Sequence, residues 1–201
     1  KNISPIVLSG HIDTVSANEE EYLTNPYQLT EKDGKMFGLG SIDMMSFVAI
    51  ILDNIKALQQ FAVPIIAIFT TDEECGCLGS SQLVHDFEKC PFDLKYIIQL
   101  DRRGKNDCVF YDDVNVAFGE YVESFGFKTA WGTLSDISVI CPCWGISGVN
   151  LSVGYEDEHQ EIETLHIDYA YMTLIKVLSM LDDIDKADYY SLILQEFFSL
   201  L

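Results

Sequence analysis

Basic residues are scarce in this chain. Twelve Lys and Arg stand against 32 Asp and Glu, a formal net charge of −20. A surface of that sign repels nucleic acid and anionic membranes, so neither is an expected partner. It favours cations, both metal ions and positively charged substrate groups, and it also keeps a protein in solution. No apolar run is long enough to cross a bilayer. The first residues lack a basic start followed by an apolar stretch, so no secretory signal is read and a cytoplasmic location is expected. Internal repeats and low-complexity linkers are absent too, and the chain reads as one catalytic-sized domain over residues 1–201. It starts at Lys1 rather than Met and enters a strand-like segment almost at once, so upstream sequence is expected to be missing.

What is present is a core. Hydrophobic residues make up 48% of the chain, enough to exclude a disordered acidic tail. Six cysteines (Cys75, Cys77, Cys90, Cys108, Cys141 and Cys143) form an even count. A domain of this size does not need disulfides, so free thiols are expected. The two C-x-C pairs are spaced more tightly than the C-x₂-C of thiolate zinc sites.

Apolar strand-like runs alternate with amphipathic stretches. Strands are expected at Ile6–Ser9, Ile65–Thr71, Leu94–Leu100, Cys108–Tyr111 and Gly148–Val153. Helices are expected at Ser46–Phe61, Leu78–Phe87, Val114–Phe125, Glu163–Leu181 and Tyr189–Leu201. Continuous apolar strands separated by helices imply an α/β fold with a mostly parallel sheet covered on both faces. Catalytic groups in such folds collect at the carboxyl ends of the strands.

Residues able to bind metal fall at those ends. His11 and Asp13 follow the first strand, and residues two apart in an extended segment point the same way, so Asp13 can anchor the far ring nitrogen of His11. Asp72, Glu73 and Glu74 follow the second. Consecutive carboxylates there repel one another unless a cation relieves them, though acids at a solvated helix N-terminus are the plain alternative. Of these, Glu74 is assigned to the metal and Glu73 to the general base. Asp101 closes an apolar strand and needs a partner, with Arg102 or Arg103 as the plain candidates. Asp43 sits in the loop before the first helix, and His159 lies past the last strand. His85 and His166 are placed on helices and read as surface or packing residues. Asp136 is a candidate for the site wall, with a helix N-cap as its alternative. Tyr155, Trp131 and Trp144 are candidates for lining a side-chain pocket, with core packing as the default.

Ser9-Gly10-His11-Ile12-Asp13-Thr14-Val15, Gly38-Leu39-Gly40-Ser41-Ile42-Asp43-Met44, Thr71-Asp72-Glu73-Glu74-Cys75-Gly76 and the late His159, in that order, resemble the co-catalytic zinc exopeptidases. That superfamily takes in aminopeptidases, di- and tripeptidases, carboxypeptidases and aminoacylases. The similarity runs from near residue 6 to near residue 180. It implies a mixed, mostly parallel sheet sandwiched by helices, and two divalent metal ions, Zn2+ by preference with Co2+ or Mn2+ as alternatives. One metal would be held by His11, Asp43 and Asp101 and the other by Asp43, Glu74 and His159, with Asp43 bridging. Glu73 would move the proton of the attacking water, Asp13 would orient His11, and the Asp43–Met44 peptide would be cis. The implied substrate is a peptide or an amino-acid derivative, and a homo-oligomer is an open option. The stretch from Asp101 to Asp136 is too short for the lid domain of the carboxypeptidase and aminoacylase branch, which points to an aminopeptidase. The long interval between His11 and Asp43 is more like the lidded branch. An N-acyl amino acid deacylase or carboxypeptidase, with Arg102 and Arg103 as carboxylate anchors, is the alternative within enzymes. A catalytically inactive binding module on the same fold is the alternative outside them.

Overall fold

A computed structural model of the chain describes residues 4–17, 25–40, 43–111, 115–160 and 162–182. The elements run in the order β1 (Ile6–His11), β2 (Thr30–Lys32), β3 (Lys35–Phe37), α1 (Met45–Asp53), α2 (Ile55–Leu58), β4 (Ile65–Thr70), α3 (Leu78–Asp86), β5 (Tyr96–Arg102), β6 (Asp107–Phe110), α4 (Val116–Ser124), β7 (Lys128–Thr129), α5 (Asp136–Trp144), β8 (Gly148–Ser152), β9 (Tyr155–Glu156), β10 (Thr164–His166) and α6 (Ile167–Leu181). Six strands form the main sheet in the order β4-β1-β5-β8-β6-β7. All its pairings are parallel except that of β6 with β8. The fold is therefore the expected mixed, mostly parallel α/β sheet.

Strand alternation sends neighbouring side chains to opposite faces. Ile6 and Leu8 join Tyr96, Ile98 and Leu100 in a core built against Phe47, Val48 and Ile51 of α1, Phe118 and Val122 of α4, and Val177 and Leu178 of α6. Val7 and Ile97 point the other way, onto Ile137, Ile140 and Cys141 of α5 and Leu83 and Val84 of α3. Burial on both faces explains why β1 and β5 read as unbroken apolar runs.

Several boundaries differ from the sequence reading. The expected helix over Ser46–Phe61 breaks at Asn54, whose side-chain amide donates to the Ile50 carbonyl (3.0 Å) in competition with the helix ladder. The expected helix from Glu163 begins only at Ile167. Thr164–His166 is instead a strand pairing with β3 and β9 in a second, four-stranded sheet of order β2-β3-β10-β9. His166 is accordingly at the strand end, stacked on Tyr169 and 3.2 Å from Glu156. Helix α5 had no counterpart in the reading. It is opened by a Ser135/Ser138 capping box and contains Pro142. The helix expected over Tyr189–Leu201 lies outside the described residues. The six cysteines are free thiols. In each C-x-C pair one residue is buried and the other exposed, so neither pair presents two thiolates to one point. Among the described residues no helix is long and apolar enough to cross a membrane.

Candidate metal centre

The carboxyl edge of the parallel strands gathers the predicted residues. β1 ends in His11, 1% exposed. β4 ends at Thr70, and the chain turns through Asp72, which is left-handed (φ 56°), into Glu73 and Glu74. Asp101 lies within β5 rather than at its end. Asp43 directly precedes α1 across an Asp43–Met44 peptide that is cis, as expected. His159 follows β9 and is left-handed too (φ 65°). Such backbone is uncommon for residues other than glycine and tends to cluster at functional sites.

Asp43 is the hub. Its Oδ1 lies 3.3 Å from His11 Nε2 and its Oδ2 lies 3.2 Å from His159 Nε2. His11 Nε2 is also 3.6 Å from Asp101 Oδ1, and His159 Nε2 is 3.0 Å from Glu74 Oε1. Two triads result, His11–Asp43–Asp101 and Asp43–Glu74–His159, with Asp43 in both. A third convergent group, His11–Glu73–Glu74, overlaps them.

The donor set fits divalent cations. Zinc binds imidazole nitrogen and carboxylate oxygen at about 2.0–2.2 Å, so two such ligands on one tetrahedral ion stand roughly 3.3–3.6 Å apart. The separations above fall close to that range. Glu74 Oε1 adds a second indication. It is buried and makes no hydrogen bond to a described residue, although an imidazole nitrogen is 3.0 Å away. Proximity without alignment is what two atoms aimed at a shared third centre produce.

The electrostatics agree. Burial works against a charged His11, yet Asp101 and Asp43 outweigh it and lift its pKa to about 12. The Asp43 and Glu74 carboxylates beside it lift His159 to about 10. Burial alone would raise Asp43, but the two imidazoles hold it well below the usual carboxylate range. Burial pushes Asp101 well above that range, with Asp43 adding to the effect. Without metal, protons occupy the places where positive charge is wanted.

Around this hub sit the other candidates. Glu73 is half-buried, and desolvation raises its carboxyl to about 7. Its Oε1 accepts a weak hydrogen bond from the Cys77 thiol (3.7 Å). His11 Nδ1 meets the Asp13 backbone carbonyl at 3.0 Å and the Asp13 carboxylate at 3.5 Å, so residue 13 contacts the ring through both groups. Asp13 Oδ2 also accepts from the Glu74 amide (3.1 Å), tying β1 to the acidic turn.

Some expectations are corrected. Asp101 is not neutralised by its neighbouring arginines. It accepts from Ser135 Oγ (3.0 Å) and Gln99 Nε2 (3.2 Å), while Arg102 pairs with Asp107 and Arg103 with Glu158. Asp136 is fully buried at the start of α5 and accepts from the Thr70 hydroxyl, so it forms no exposed wall. Trp144 donates to the Phe87 carbonyl (2.8 Å) and packs against the α5 core. Tyr155 is buried and does line a cleft of about 240 Å³ beside Asp101, with Trp131, 97% exposed, at its rim. His85 is exposed beside Asp86.

One residue escaped the reading. Glu163 is 1% exposed, accepting from the Gly40 amide through Oε1 (3.2 Å) and the His159 amide through Oε2 (3.0 Å). It pins the loop leading to Asp43 to the loop carrying His159. The only local signal was its spacing of four from His159.

A family model described as "Peptidase family M20/M25/M40" matches residues 7–173. The chain belongs to this family. Peptidase family M20/M25/M40 comprises hydrolases of peptide and amide bonds, and the two triads fall within the matched span. Acetylornithine deacetylase of Pasteurella multocida (strain Pm70) is 38% identical over 81 residues, 39% of this chain and 21% of that protein. The enzyme of the same name from Vibrio campbellii (strain ATCC BAA-1116) is 37% identical over 95 residues, 46% of this chain and 24% of that protein. The matched stretches thus span between a fifth and a quarter of these relatives' length. Among solved structures, aminopeptidase PepT from Bacillus cereus ATCC 10987 aligns with a TM-score of 0.67 at 16% identity, over 89% of this chain and 80% of that one. A tripeptidase from Staphylococcus aureus subsp. aureus mu50 aligns with a TM-score of 0.69 at 14% identity, with the same coverages. At those identities the likeness is one of fold.

Proposed function

We propose that this chain is a two-metal exopeptidase that cleaves N-terminal peptide bonds, with Glu73 as its general base. One observation carries the reading. Asp43 turns each carboxylate oxygen to a different imidazole, and Asp101 and Glu74 complete the two halves. Divalent cations held there, zinc by the imidazole and carboxylate donor set with cobalt or manganese as substitutes, supply Lewis acidity and make a water more acidic. The chain's own groups do the rest. Glu73, raised to about 7, is matched to accepting a proton near neutral pH and returning it to the leaving amine. Asp13 fixes the ring orientation of His11, and Tyr155, whose phenol burial keeps protonated, walls the substrate cleft. Only 34 residues separate Asp101 from Asp136, which suits a compact aminopeptidase.

A second reading, an N-acyl amino acid deacylase, is favoured by the matches to acetylornithine deacetylases and by the arginines lining the cleft. Turnover of an amino-acid anilide against an N-acetyl amino acid by zinc-, cobalt- and manganese-loaded protein separates the two. Hydrolysis of neither would defeat both.

A further inference from the structure

Asp101 sits at an irregular point of the sheet. Between the pairs Gln99–Asn150 and Arg102–Ser152, β5 carries two residues, Leu100 and Asp101, where β8 carries one, Leu151. An extra residue of this kind breaks the ladder locally and re-aims a side chain beside a site. The backbone groups it frees need other partners. At Asp101 both go to one side chain. The Asp101 amide donates to Asn150 Oδ1 (3.0 Å), and Asn150 Nδ2 donates to the Asp101 carbonyl (2.7 Å).

The directions of the neighbouring hydrogen bonds follow from these two. A backbone N–H can only donate, so the Asp101 amide fixes Oδ1 of Asn150 and leaves Nδ2 as the donor. Nδ2 also reaches Ser135 Oγ (3.3 Å), so that hydroxyl accepts there and spends its own hydrogen on Asp101 Oδ2 (3.0 Å). The Ile137 amide orients Gln99 in the same way. Gln99 Oε1 accepts from it (3.1 Å), and Nε2 is left to donate to Asp101 Oδ2 (3.2 Å). Gln99, Ser135 and Asn150 are all buried and uncharged. Two donors thus converge on Oδ2, while Oδ1 is the oxygen 3.6 Å from His11 Nε2.

We propose that Ser135, Gln99 and Asn150 are positioning residues for the His11–Asp43–Asp101 triad. Asn150 holds the main chain of Asp101, and Ser135 and Gln99 occupy Oδ2, so that Asp101 offers a cation one oxygen, Oδ1. The inference rests on the two-metal reading and concerns one half of it. All three residues act on Asp101, which belongs to this triad and not to Asp43–Glu74–His159. A carboxylate already fixed by outer hydrogen bonds loses little freedom when it binds a metal, and removing such partners costs about 10- to 100-fold in affinity.

Ser135 also opens α5, so its loss could act by loosening the helix. Ser138 supplies the control, because its Oγ accepts from the Ser135 amide (3.2 Å) at the same helix start. Ser138→Ala removes that bond and leaves the Asp101 contacts in place.

The test is zinc affinity of the full chain, by competition with a chromophoric chelator, with unfolding midpoints alongside. Ser135→Ala should weaken one of two zinc steps by about 10- to 100-fold, and Gln99→Met, of similar volume but without the amide, should weaken the same step. Ser135→Thr should restore part of the loss. Ser138→Ala should lower the unfolding midpoint and leave both steps in place. In an Asp101→Ala background, Ser135→Ala should have no further effect on the step that remains. Unchanged zinc affinity in Ser135→Ala, an equal loss in Ser138→Ala, or a loss that persists in the Asp101→Ala background overturns the proposal. A wild type that binds a single zinc, weakened by Ser135→Ala but not by Ser138→Ala, would uphold the positioning role and sink the two-metal reading. Two zinc ions indifferent to Ser135→Ala would sink the positioning role alone.

Discussion

Replacing Glu163 with Gln tests how the centre is held together. The carboxylate, itself 1% exposed, receives the buried Gly40 amide at 3.2 Å and the His159 amide at 3.0 Å. A carboxamide keeps one acceptor and turns an NH₂ towards the other donor, so one charge-assisted bond becomes a donor–donor contact. Hydrogen bonds to charged groups contribute about 1.5–3 kcal/mol. The loss falls on the loops carrying Asp43 and His159, whereas His11 and Asp101 are fixed by β1 and β5. The Asp43–Glu74–His159 triad should therefore weaken by about 10- to 100-fold in metal affinity. The His11–Asp43–Asp101 triad should change much less. Zinc titration of the metal-free protein by competition with a chromophoric chelator reads the two steps separately. An unchanged two-step titration, or an equal loss at both steps, would refute this account of Glu163.

Glu73→Gln should retain both metals by elemental analysis and lose about 10²- to 10⁴-fold in kcat, the usual contribution of a general base; turnover within tenfold of wild type would remove Glu73 from that role. In metal-free protein the neighbouring carboxylates push His11 up to about 12 and His159 up to about 10, above the ordinary 6.5. The stability they add is complete below pH 6.5 and is lost as pH rises through those values. Unfolding midpoints of chelator-treated protein should fall from pH 6.5 to 10, while zinc affinity rises as the imidazoles shed their protons; a flat zinc affinity across that range would contradict the assignment. Gly10→Ala would drive a Cβ into the Met44 side chain, next to Asp43. It should cost about 1–3 kcal/mol by denaturant unfolding, as overpacking does, and weaken metal binding with it.

Much of this was legible from the residues because the strongest signals were local. The strands β1, β4 and β5 are short apolar runs, and each carries an acid or histidine at or shortly past its carboxyl end. What was missed depends on pairings between distant residues. Thr164–His166 carries no strand pattern of its own and becomes one by pairing with Lys35–Phe37, far upstream. Nothing local says that Asp101 accepts from Ser135 rather than pairing with the adjacent arginines, since Ser135 lies 34 positions further along the chain. Helix α5 was obscured by Pro142, although Ser135 and Ser138 offered a capping signal. Glu163 looked like one more acid in an acidic loop, because its burial and two amide donors are tertiary facts.

Metal stoichiometry is the most direct measurement of the central claim. Protein equilibrated with buffered zinc and freed of excess ion should carry two equivalents per chain by elemental analysis, and Asp43→Ala should carry at most one, held weakly. A wild type that binds no more than one equivalent, or an Asp43→Ala variant that keeps two, would contradict a centre built around Asp43.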